Sequence, residues 1–70
     1  MTGGRAVDMS NAASLSSVAT ALAELTARVT AIADDLSGSA REDVAGVLFE
    51  VERSLAAAAR RLEKVLEDLS

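Results

Sequence analysis

The chain predicts an all-α fold: an antiparallel two-helix hairpin, coiled-coil-like, that dimerises into a four-helix bundle. Three observations carry this expectation. Apolar residues recur at alternating three- and four-residue steps along two long stretches, which is the period of a helical seam. A Ser-Gly-Ser sequence separates the stretches. The 70 residues hold no Pro, Cys or His, so the helices meet no proline break, and neither a disulfide nor a usual zinc site is on offer to staple a small domain.

Residues 1–10 read as a flexible N-terminal tail. Gly3-Gly4 is costly in a helix, and no apolar period runs through the segment. Helix 1 is expected over about 11–36. Its seam is Leu15, Val18, Leu22, Leu25, Val29, Ile32 and Leu36, with Ser16, Ser17, Thr20, Glu24, Thr30 and Asp34 on the other side.

The turn is expected at 37–39. Gly38 suits the left-handed conformation that ends a helix. Ser39 and Glu42 have the Ser-x-x-Glu spacing of a capping box, and Glu42 and Asp43 place negative charge in the first turn, where the helix dipole favours it. Helix 2 is expected over about 40–69, with the seam Val44, Leu48, Val51, Leu55, Ala58, Leu62, Val65 and Leu69.

The two seams fit one another. Facing residues of an antiparallel pair have a nearly constant sum of positions. Ile32–Val44, Val29–Leu48, Leu25–Val51, Leu22–Leu55, Val18–Ala58 and Leu15–Leu62 keep that sum at 76 or 77. The short connection makes the helices antiparallel neighbours.

Helix 2 carries more apolar surface than one partner covers. Ala45, Ala59 and Leu66 flank its seam, as do Val47 and Phe49, and Ala56 begins a run of four alanines. Val47, Phe49, Ala56, Ala59 and Leu66 are therefore the expected interface. A chain of this length sits near the lower limit of independent stability, and with no disulfide or zinc site the partner is expected to be a second copy, a homodimer, or another helical protein.

Composition narrows the function. With no His, Cys or Tyr the chain lacks the usual nucleophiles and neutral-pH bases, so no catalytic, cofactor-binding or metal-binding residue is assigned. The net charge of −4 and the absence of Trp and Tyr argue against nucleic acid. Residues 1–5 carry one positive charge with no apolar run behind it, so no signal peptide is expected. Nor does any continuous apolar run look long enough to span a bilayer. These readings give a cytoplasmic chain without a membrane partner. Six of the seven basic residues are Arg and Ala is abundant, a texture that suggests a GC-rich bacterial genome.

The expected function is a small non-enzymatic protein–protein interaction module, an adaptor, regulator or accessory subunit of a larger bacterial assembly. The alternative is a regulator holding an anionic small molecule near Arg60 and Arg61, where Arg53 and Lys64 add positive charge. Asp34, Asp35, Glu42 and Asp43 gather at the hairpin tip, with Arg41 expected to pair with Asp35.

Overall fold

A computed structural model describes the backbone of residues 2–69 and the side chains of residues 9–69. It contains α1, Thr2–Leu36, and α2, Glu42–Leu69, packed against each other as an antiparallel hairpin.

Two boundaries differ from expectation. α1 starts at Thr2 rather than near residue 11, so helix enters the segment expected as a tail, of which Met1 lies outside the described residues. Gly3 and Gly4 each cost about 1 kcal/mol relative to Ala, but no proline follows to stop the helix. α2 continues to Leu69, which the position sum places level with residue 8 of α1. The connection is residues 37–41 rather than 37–39, and α2 begins at Glu42 rather than near residue 40.

The hydrogen bonds of the turn explain the second shift. Ser37 N–H donates to the Ala33 carbonyl at 2.9 Å and closes the last turn of α1. Gly38 follows at φ 80°, the position of a type II turn that glycine fills without strain. Ser39 N–H then reaches back to the Leu36 carbonyl at 3.0 Å. The Ser39 hydroxyl donates to the same carbonyl at 2.5 Å and accepts from Arg41 N–H at 3.1 Å. Ser39 thus finishes α1 instead of forming the expected box with Glu42. The cap position falls to Arg41, whose carbonyl accepts from Val44 N–H at 3.1 Å and Ala45 N–H at 3.3 Å.

Serine and threonine are accommodated inside α1 by folding back on it. The hydroxyls of Ser17, Thr20, Thr26 and Thr30 each donate to the carbonyl four residues earlier, at 3.4, 3.1, 2.7 and 3.0 Å.

The hairpin is a thin rod, 59 × 14 × 11 Å, with a radius of gyration of 16.5 Å. A compact domain of this length has about 11 Å. The rod exposes 5205 Å², where a folded monomer of 7.2 kDa exposes about 4,100 Å². Its fully buried hydrophobic residues are Ala33 and Ala45, and no side chain larger than these is fully buried among the described residues.

Candidate interaction surface

The helices meet along a face rotated from the expected one. On α1 the covered positions are Ala12, Leu15, Ala19, Leu22, Thr26, Val29, Ala33 and Leu36. On α2 they include Ala45, Leu48, Glu52, Leu55, Ala59, Leu62, Leu66 and Leu69. Both sets step by three and four. The leucine layers at sum 77 are common to both registers, but the layers between them hold Ala19, Ala33, Ala45 and Ala59 instead of the larger expected residues.

The expected hairpin-core residues Val18, Leu25, Ile32, Val51, Ala58 and Val65 are exposed. The reason is close approach: alanine at alternate layers lets the two backbones draw together, and the larger side chains then fall outside the seam. Val44 sits at the edge, half-buried.

The displaced residues form one surface. Val18, Leu25 and Ile32 each precede a covered α1 position, and Val44, Val51, Ala58 and Val65 each precede a covered α2 position. In antiparallel helices that shared offset turns both stripes to the same side of the hairpin. Val47, one turn before Val51, lies at the margin of this side. Exposure of the large members runs from 39% at Val51 to 59% at Val47, with Leu25 at 51% and Ile32 at 53%.

The other expected interface residues lie elsewhere. Ala59 and Leu66 are in the seam with α2's leucines, half-buried, and Phe49 and Ala56 are half-buried at the opposite edge of that seam. Of the five, Val47 alone joins the exposed apolar face. The signal that sequence reasoning missed is the exact heptad spacing of 18, 25 and 32 with 44, 51, 58 and 65, which marks a second stripe beside the seam.

The opposite edge is polar at mid-length. The Thr30 hydroxyl donates to the Glu52 carboxylate, joining α1 to α2. At the tip, Arg41 pairs with Asp43 at 3.4 Å rather than with Asp35, and both groups are largely exposed. Near the far end of α2, Ala57, Arg60, Arg61 and Lys64 line a shallow surface groove. Among the described residues, none of these three cations has a carboxylate within ion-pair distance. No group of acidic side chains among the described residues is gathered closely enough to hold a metal ion.

The stretch Met9–Leu36 of α1 is long and apolar enough, by length and composition, to cross a membrane. The expectation concerned a continuous apolar run, and the stretch is not one. Alanine and valine between the seam residues raise its apolarity even though Ser and Thr interrupt any continuous run. Core helices and leader sequences share that composition.

No protein family, curated protein or solved structure matches the chain.

Proposed function

We propose that this chain is a non-enzymatic protein–protein interaction module that works by completing its core with further helices, and that it serves as an adaptor, regulator or accessory subunit of a larger assembly. One observation carries the reading. Six large aliphatic side chains, Val18, Leu25, Ile32, Val47, Val51 and Val65, stand exposed on one side of a hairpin whose fully buried hydrophobic residues are alanines.

The sizes agree with this reading. The rod exposes roughly 1,000 Å² more than a folded monomer of its mass, and a standard interface takes about 800 Å² per partner. Covering a half-exposed aliphatic side chain stabilises by about 1 kcal/mol. Two additional helices laid on this face make a four-helix bundle, the arrangement that encloses such a stripe.

The test is solution mass by light scattering over a dilution series, with helicity followed by circular dichroism. The expected result is an oligomer that loses helix as it dissociates. Leu25→Asp and Val51→Asp, each placing a charge on the face, are expected to shift the chain to monomer with reduced helicity. A chain that is helical and monomeric at every concentration, and indifferent to both substitutions, overturns the reading.

The groove at Ala57, Arg60, Arg61 and Lys64 favours a second reading, a regulator binding an anionic small molecule. Bound ligand stabilises a folded state by mass action. A rise in melting temperature with nucleoside di- or triphosphates, lost in Arg60→Ala/Arg61→Ala, supports it. No shift across that panel removes it.

A further inference from the structure

We propose that the occupant of the apolar face is a second copy of this chain, packed face to face with its turn at the opposite end, about a two-fold axis passing between Leu25 and Val51. The proposal rests on the interaction-module reading above and specifies its partner and geometry.

The face is self-complementary under that reversal. Leu25 and Val51 stand at the same height, since their positions sum to 76. Val18 and Ile32 each lie seven residues from Leu25, about 10 Å along the axis, so reversal exchanges them and brings Leu25 against its counterpart. On α2, Val44 and Ala58 each lie seven residues from Val51. Ala58 is the small residue of that stripe and leaves a notch. Reversal brings the bulk of Val44 and the prominent Val47 of one copy over the Ala58 notch of the other. Packing with both turns at one end sets Val44 over Ile32 and Ala58 over Val18, so the bulk gathers at one end and the gap at the other.

Charge selects the same arrangement. The turn end of the hairpin carries Asp34, Asp35, Glu42 and Asp43 with Arg41 as the one cation among them, and the far end of α2 carries Arg60, Arg61 and Lys64 interleaved with Glu63, Glu67 and Asp68. Reversal about the Leu25–Val51 line sets the acidic turn end of each copy beside the charge-balanced far end of the other. With the turns together, the two acidic ends repel.

The chain contains no cysteine, so single cysteines report the geometry. Under mild oxidation, Leu25→Cys is expected to cross-link to itself. Val18→Cys and Ile32→Cys are expected to cross-link when mixed and not alone. Cross-linking of Leu25→Cys only with Val51→Cys means the turns lie together; that outcome overturns the proposal and leaves the interaction-module reading standing. An unaltered chain that stays monomeric and helical at all concentrations overturns both.

Discussion

Thr30 on α1 and Glu52 on α2 are joined by a side-chain hydrogen bond across the hairpin. The Thr30 hydroxyl also lies 3.0 Å from the Thr26 carbonyl, so a single hydrogen faces two acceptors. Glu52 holds a covered position between Leu48 and Leu55, which makes this the polar layer of an otherwise apolar seam. Such layers fix register at some expense in stability.

Removing one partner and removing both therefore have different consequences. Thr30→Val is expected to destabilise by about 1 kcal/mol, because Glu52 loses its donor while remaining half-buried. The double variant Thr30→Val/Glu52→Leu is expected to return to the original stability or exceed it, with an apolar layer in place of the polar one. Urea unfolding at fixed protein concentration reads both; a silent single variant means Glu52 is fully served by water.

The two described interior glycines make a matched pair. A Cβ added at Gly38 or Gly46 meets nothing within 4 Å, but Gly38 has φ +80° and Gly46 is helical. Gly38→Ala is expected to cost about 1 kcal/mol through the left-handed backbone. Gly46→Ala is expected to gain a similar amount through helix propensity. Thermal unfolding should move in opposite directions, and a shared direction would contradict the turn geometry.

Alanine is needed where the helices approach most closely. Ala33→Leu forces side-chain volume into a site with 0% exposure and is expected to cost about 1–3 kcal/mol. Ala31→Leu, on the exposed side of the same helix turn, is the control and should be near neutral. Equal effects at both positions would mean the seam is not the rotated one.

At the turn, the hydroxyl of Ser39 matters more than the nearby ion pair. Ser39→Ala removes a donor to the Leu36 carbonyl and an acceptor for Arg41 N–H, with an expected loss of about 1 kcal/mol. Asp43→Asn removes the exposed pair with Arg41 and is expected to change stability by less than about 0.5 kcal/mol. Denaturation midpoints of the two variants check the order.

Much of the architecture is legible residue by residue. The 3–4 steps from Leu15 to Leu36 and from Leu48 to Leu69 specify helices, and Gly38 specifies where the chain reverses, since each rests on local backbone preference. The start of α1 is less legible: Gly3-Gly4 reads as a break, yet helix runs through it, although Leu69 at the end of α2 is level only with residue 8. The cap of α2 is also a tertiary matter, as Ser39 can serve either helix and its hydroxyl goes to Leu36.

What the sequence determined by itself is two helices, their antiparallel order and the leucine layers they share. What only the tertiary structure decided is the rotation of each helix about its axis. Leu15 with Val18 and Leu15 with Ala19 both satisfy a seam, so periodicity cannot choose between large and small residues for the alternate layers. Close approach of the backbones chose the alanines, and that choice put Val18, Leu25 and Ile32 on the outside, where they form a surface suited to another molecule.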